Sequence, residues 1–160
     1  MGLLHFLGLE ISQGDLGIKL SQSKYVKDLL VRFHMKDYTS SPTPFVCGVR
    51  LEEGKDTILV NNTLYRQLVG SLLYLTHCRP DLLYVVGAVS RFMQKPHELH
   101  WKATKRILRY IQGTITFGIY YAEDFSLDLI GFTDSDWASD SIDRKSTSGY
   151  SPSLVLGPIY

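Results

Sequence analysis

A chain of 160 residues, 44% hydrophobic and 21% charged, is long enough for one ordinary buried core and lacks the polar, highly charged composition of a disordered segment. Its net charge of +1 excludes a uniformly basic or acidic protein, although six Lys or Arg against Glu98 alone run from Arg91 to Arg109, and seven acids with no Lys or Arg run from Glu123 to Asp143. Cys47 and Cys78 make no disulfide framework or metal-ligand spacing, no apolar run reaches the ~20 residues of a membrane span, and no secretory signal opens the chain. An intracellular setting, cytoplasm or nucleus, is the default expectation, with no membrane partner.

His5 to Ser12 alternates loosely with apolar residues, and Gln13-Gly14-Asp15-Leu16-Gly17 separates it from Ile18-Lys19-Leu20, the pattern of a β-hairpin. Ser21 suits an N-cap, and Val26, Leu29, Leu30 and Phe33 at helical spacing predict an amphipathic helix over about Gln22–Met35. Ser41-Pro42-Thr43-Pro44 breaks regular structure and opens an extended loop to residue 61. Three helices follow. The first carries Leu64, Leu68, Leu72 and Leu75 on one stripe, and the second Leu82, Val85, Val86 and Val89, after Arg79-Pro80-Asp81. The third runs from about His97 to Gln112, with Trp101, Thr104, Leu108 and Ile111 on its apolar side and Gly113 at its end. Thr116–Tyr121 and Leu127–Thr133 are strand-like, so a second, β-started unit is expected from near Phe117, with Ser151-Pro152 breaking its last strand.

Lys102, Lys105, Arg106 and Arg109 stand at i, i+3, i+4 and i+7 on the third helix and therefore share one face. Such a face can track a phosphate backbone, where each neutralised phosphate releases counterions and gives sequence-independent, salt-sensitive affinity. The alternative is a solvated polar face. Asp134 follows an apolar strand, a place from which a carboxylate can be held toward Mg²⁺. A two-metal site needs carboxylates from separated elements, however, and after Asp134 only Asp136, Asp140 and Asp143 occur, so a solvated acidic loop is the competing reading. His97 and His100 read as a surface pair beside the basic face. Arg106-Ile107-Leu108-Arg109 also spells the Arg-x-Leu-Arg signature of oomycete secreted effectors, but inside a patterned helix with no signal peptide it reads as coincidence.

Six segments carry a resemblance: Phe6-Leu7-Gly8-Leu9-Glu10-Ile11, Leu20-Ser21-Gln22-Ser23-Lys24-Tyr25, Tyr65 to Leu75 with Arg79-Pro80-Asp81, His100 to Tyr110, Phe132 to Ala138, and Ser146-Thr147-Ser148-Gly149-Tyr150. In this order they resemble the Pol polyprotein of copia-type (Pseudoviridae) LTR retrotransposons, where reverse transcriptase passes into ribonuclease H. The resemblance implies an α+β chain: residues 1–40 as the end of the polymerase palm and entry to the thumb, 41–61 as a loop, 62–113 as a helical thumb-like region, and 117–160 as the first strands of an incomplete ribonuclease H-like domain. It implies that Lys102, Lys105, Arg106 and Arg109 contact a template–primer duplex or RNA–DNA hybrid, and that Asp134 is the would-be first Mg²⁺ ligand of ribonuclease H. Neither the catalytic Tyr-x-Asp-Asp nor a Glu after Glu123 occurs in the chain. The expectation is therefore a catalytically incomplete fragment with no cofactor of its own, although Mg²⁺ serves the parent family, and with residual non-sequence-specific nucleic-acid binding. Two alternatives stay open: a piece of an intact RNA-directed DNA polymerase/ribonuclease H whose missing residues lie in flanking sequence, and a co-opted non-catalytic or secreted effector-like protein. Self-association through unpaired strand edges is a further expectation.

Overall fold

The structure, a computed structural model, describes residues 2–46, 51, 58–123, 129–135, 148–154 and 157–158. In chain order its elements are β1 (Gly2–Phe6), β2 (Leu9–Gly14), β3 (Gly17–Ser21), α1 (Ser23–Arg32), α2 (Asn62–Leu75), a 3₁₀ turn (Pro80–Leu82), α3 (Leu83–Ser90), α4 (Glu98–Gly113), β4 (Gly118–Ala122), β5 (Leu129–Ser135), β6 (Ser148–Leu154) and β7 (Gly157–Pro158). Helix and strand are mixed, as expected, and two compact units emerge: Ser21–Gly118, and Met1–Leu20 with Ile119–Tyr160. No helix among the described residues is long and apolar enough to cross a membrane.

The helical unit is built on amphipathic stripes. Helix α1 buries Val26, Leu29 and Leu30. It begins one residue later than Ser21 would cap it, because Ser21 is still in β3 and Gln22 takes the N-cap position without a side-chain bond. At its other end His34 adopts φ 55°, and the His34 and Met35 amides donate to Val31 O (3.1 Å) and Leu30 O (2.8 Å). This is the Schellman closure, with a histidine where glycine is usual, and buried Met35 lies against the core that Leu30 also enters. Helix α2 starts at Asn61, whose side chain accepts from the Leu64 amide at 3.0 Å. Leu64 itself is 39% exposed. Leu68, Leu72 and Leu75 of the expected stripe are buried together with Val69, and Tyr65 takes the place expected of Leu64. Tyr65 can take the core position because its hydroxyl donates to Val89 O at 2.8 Å, and burial pushes that phenol's pKa up.

Helix α3 ends at Ser90, before the expected stop at Pro96, and contributes Val85, Val86 and Val89. Helices α1, α2 and α3 each pack on α4, which supplies Ile107, Leu108 and Ile111 to one continuous cluster. Each such side chain contributes about 1.5–3 kcal/mol on leaving water.

The second unit is made of strands. Strands β1 to β4 form one sheet in sequence order. The run expected to be a single strand over His5–Ser12 is broken by Leu7 (φ 48°) and Gly8 (φ 80°), which join β1 to β2 with Phe6 opposite Leu9. Two consecutive positive φ values define the type I′ hairpin turn, whose twist matches the strands. Leucine is a rare occupant of its first position, so the turn gives little sequence signal. At Gly17 (φ 144°) an added Cβ would lie 2.1 Å from Tyr121 O, so a glycine is required where β3 meets β4. Strand β4 thus belongs to the amino-terminal sheet, and the Glu123 amide donates to Leu16 O at 2.9 Å.

Strands β5, β6 and β7 form a separate antiparallel sheet. Pro152 does not break β6 as expected but pairs with Gly131 of β5. Among the described residues β7 pairs only Ser153 and Leu154, so on that side Pro152 has no described ladder to interrupt.

Candidate functional site

Helix α4 is held at both ends, and its cations lie between the two anchors. At the amino end His97 is the N-cap and His100 the third helical residue. The His97 ring accepts from the His100 amide, while the His97 amide donates to His100 Nδ1 at 2.9 Å. This is a capping box made of two imidazoles in place of Ser or Thr with Glu. His97 is 6% and His100 0% exposed, and His100 stacks on Phe92 with ring centroids 3.9 Å apart. The pair expected on the surface is therefore part of the interior. A bridge between Leu59 and His97 adds backbone bonds Val60 N to Pro96 O (2.9 Å) and Glu98 N to Ile58 O (3.0 Å). Arg66 Nε donates to Met93 O at 3.0 Å and Asn62 Nδ2 to Gln94 O at 2.9 Å, which ties the start of α2 to the same turn.

At the carboxyl end lies a buried polar cluster that the sequence did not announce. Arg79 is 2% exposed. Its Nε and Nη2 meet Asp81 Oδ1 and Oδ2 at 2.9 and 2.8 Å, a bidentate fork. Nη1 and Nη2 also donate to the carbonyl and hydroxyl of Thr114 at 3.0 and 2.8 Å, and the guanidinium lies 5.5 and 5.3 Å from the Tyr110 and Phe117 ring centroids. The Tyr110 hydroxyl donates to Asp81 Oδ2 at 3.0 Å. Burial alone would raise the Asp81 carboxyl, but the bonds and charge of Arg79, with the Tyr110 bond, outweigh it and leave that carboxyl below its ordinary range. Burial and the Asp81 carboxylate push the Tyr110 phenol up. The Arg79-Pro80-Asp81 string was the only signal: a cation two residues from an acid, between two apolar helices.

The four expected cations divide into two pairs. Lys102 is 68% exposed and pairs with Glu98 at 2.8 Å, and Lys105 Nζ lies 5.5 Å from the Trp101 ring centroid. Arg106 Nη2 donates to Thr43 Oγ1 at 2.9 Å and Arg109 Nε to Thr39 O at 2.7 Å. With Ser41 N to Arg109 O (3.1 Å) and Gln112 Nε2 to Lys36 O, these bonds strap residues 36–45 across α4. Gly113 completes the contact, since an added Cβ would stand 3.0 Å from Ser40 Cβ. All four cations share the helix, but the arginines also carry a fastening role. Ile107 and Leu108, the middle of the effector-like string, are 0% exposed and belong to the core.

Asp134 lies in β5 opposite Gly149 of β6. Asp136, Asp140 and Asp143 fall outside the described residues. Among the described residues no group of three His, Cys, Asp or Glu is arranged to hold a metal ion. Burial raises the pKa of the Cys78 thiol, which makes it a poor nucleophile.

The chain is 41% identical over 157 residues to the Retrovirus-related Pol polyprotein from transposon RE2 of Arabidopsis thaliana, a match that covers 98% of this chain and 11% of that protein. An uncharacterized mitochondrial protein of Arabidopsis thaliana is 36% identical over 94% of this chain and 62% of its own length. Secreted RxLR effector protein 161 of Plasmopara viticola is 44% identical over 57% of this chain and 65% of its own length. No protein-family model matches the chain, and no solved structure matches it at a significant level. The chain belongs to the copia-type retrotransposon Pol family, as a segment that spans 11% of the length of the Pol polyproteins it matches.

Proposed function

We propose that this segment grips nucleic acid, a template–primer duplex or RNA–DNA hybrid, through the cationic face of α4 and without base selectivity. The carrying observation is a run of four cations along one helix fixed at both ends, with Lys102 exposed, Lys105 half-buried beside Trp101, and Arg106 and Arg109 continuing the same face. Cations spaced along one helix can meet successive phosphates, whereas among the described residues no base-reading element accompanies them. In this reading residues 1–40 correspond to the end of the palm and entry to the thumb, 62–113 to a thumb-like region and 117–160 to the start of a ribonuclease H-like domain. Asp134 is then the would-be first Mg²⁺ ligand, and the remaining ligands must come from elsewhere. The chain alone carries no polymerase or ribonuclease H activity, because it has no adjacent Asp-Asp and no Glu beyond Glu123.

The test is fluorescence anisotropy with a labelled RNA–DNA hybrid at low salt. Salt-sensitive binding that weakens in K102A/K105A, with no change in helix content, is the expected result. Undetectable binding, or binding indifferent to those two lysines, would overturn the reading.

A further inference from the structure

We propose that Thr43 is a phosphorylation site for a proline-directed protein kinase, and that its phosphate closes onto Arg106 and turns down the nucleic-acid grip of α4. The second half of this inference rests on the function proposed above. Two hydroxyls on the strap are followed by proline, Ser41-Pro42 and Thr43-Pro44, and the structure separates them. Ser41 is 5% exposed, its Oγ donates to Thr43 O at 3.0 Å and its amide is bonded to Arg109 O. A kinase cannot reach it without lifting the strap. Thr43 is exposed in an irregular stretch with prolines on both sides, which is the open backbone a kinase groove requires.

The Thr43 hydroxyl donates to Phe45 O at 2.9 Å and accepts from Arg106 Nη2 at 2.9 Å. A guanidinium is therefore already seated against the oxygen that would be modified, and Arg106 Nε, also buried, has no hydrogen-bond partner among the described residues. The transfer balances with ATP as the co-reactant: Thr43 Oγ attacks the γ-phosphorus, the Oγ–P bond forms, the bond from that phosphorus to the β–γ bridging oxygen breaks, ADP leaves, and the hydroxyl proton passes to the kinase base. The product places about −1.5 to −2 charges and three acceptor oxygens one residue from Pro44 and beside Arg106. Arg–phosphate pairing is charge-assisted and bidentate, so the strap would bind α4 more tightly while the cationic face loses Arg106 and part of its positive field. A phosphate backbone approaching Lys102 and Lys105 would then meet a fixed anion on the same face.

The purified chain is incubated with MgATP and a proline-directed kinase, and phosphate is mapped by mass spectrometry. Phosphate on Thr43 with Ser41 unmodified supports the site; no phosphate on Thr43, or equal modification of Ser41, overturns it. The ³¹P titration of the phosphoprotein is then compared with that of phosphorylated R106Q and of the urea-unfolded phosphoprotein. A lower phosphate titration midpoint in the folded chain, abolished by R106Q, supports the Arg106 contact, and coincident curves overturn it. This readout needs no nucleic acid. If the unmodified chain fails to bind hybrid, the proposed function is lost while the phosphate–Arg106 contact is still decided. If it does bind, phosphorylation is expected to weaken binding roughly ten-fold at low salt, and T43A to bind as wild type and resist the kinase. Equal affinities with and without phosphate would overturn the regulatory claim.

Discussion

The two ends of α4 are secured by opposite chemistry. At the amino end the His97 and His100 rings accept from backbone amides, and the nearby Lys102 stays in solvent. At the carboxyl end Arg79 is taken inside, enclosed by Asp81, Thr114 and two aromatic rings, while the half-buried Arg106 and Arg109 fasten a strap. The second end relies on the ion pair between Arg79 and Asp81. Cations of one helix can thus be structural or available for a ligand according to what the neighbouring chain offers them.

The largest break in this comparison should come from Arg79. Arg79→Ala leaves the Thr114 carbonyl without its donor and the Asp81 carboxylate without its fork, and is expected to cost about 3 kcal/mol in urea unfolding. Arg79→Lys should recover only a part, because an ammonium cannot span both oxygens of Asp81 and Thr114 at once. A loss under 1 kcal/mol in Arg79→Ala would mean that the cluster is dispensable to the fold.

A pH series sharpens the same contrast. The Asp81 carboxyl is held below its ordinary range in the folded chain, so its stabilising contribution is fully present above about pH 4, the unfolded value, and is lost as pH falls through the depressed folded value. Unfolding followed from pH 5 downward should show this loss in wild type. Asp81→Asn should be weaker at neutral pH and flatter in that window, and parallel curves for the two proteins would contradict the assignment.

The sequence disclosed the helices better than their fastenings. Periodic Leu and Val residues marked α2, α3 and α4 because burial of one face leaves a repeat in the chain. Of the expected α2 stripe only Leu64 was misplaced, its buried position being taken by Tyr65, because a tyrosine with a hydroxyl acceptor is as good a core residue as leucine. Arg79 was opaque for a related reason: charge predicts exposure unless the partners are known, and Thr114 and Tyr110 lie some thirty residues downstream. His97 and His100 looked like a solvent-facing pair because an imidazole box carries none of the usual Ser, Thr or Asp signature. The turn at Leu7-Gly8 stayed hidden behind a leucine with positive φ. Of the expected cationic face, the shared placement on α4 was legible from spacing alone, whereas the strap held by Arg106 and Arg109 requires contacts across 63 and 70 residues.

At the amino end the effect should be smaller. His97→Ala removes one acceptor of the reciprocal box and is expected to cost about 1 kcal/mol, the usual scale of an N-cap, with His97→Asp restoring much of it because a carboxylate caps the same amide and complements the helix dipole. His100→Ala should cost more than His97→Ala, since it also removes the stack on Phe92. Chemical denaturation of the three variants would order them, and a neutral His97→Ala would show that the backbone bonds at Ile58 and Pro96 hold the turn without the ring.

The smallest effect on stability should accompany the clearest effect on binding. Lys102 is exposed and its partner Glu98 is a surface i,i+4 neighbour, so K102A is expected to change unfolding by no more than about 0.5 kcal/mol. K105A removes a half-buried cation 5.5 Å from the Trp101 ring centroid, worth about 0.5–1 kcal/mol. Each lysine that meets a phosphate in the complex nevertheless contributes about one released counterion, so the slope of log affinity against log salt should fall by roughly 0.9 per lysine, about twice that for the double variant. Arg109→Ala is the informative contrast. If Arg109 serves chiefly to hold the strap through Thr39, it should lower stability and leave the salt slope of the folded fraction nearly unchanged, whereas an equal drop in slope would place it among the phosphate contacts. Measuring both quantities on both variants therefore separates the fastening cations from the gripping ones, a distinction that charge and spacing along the helix do not make.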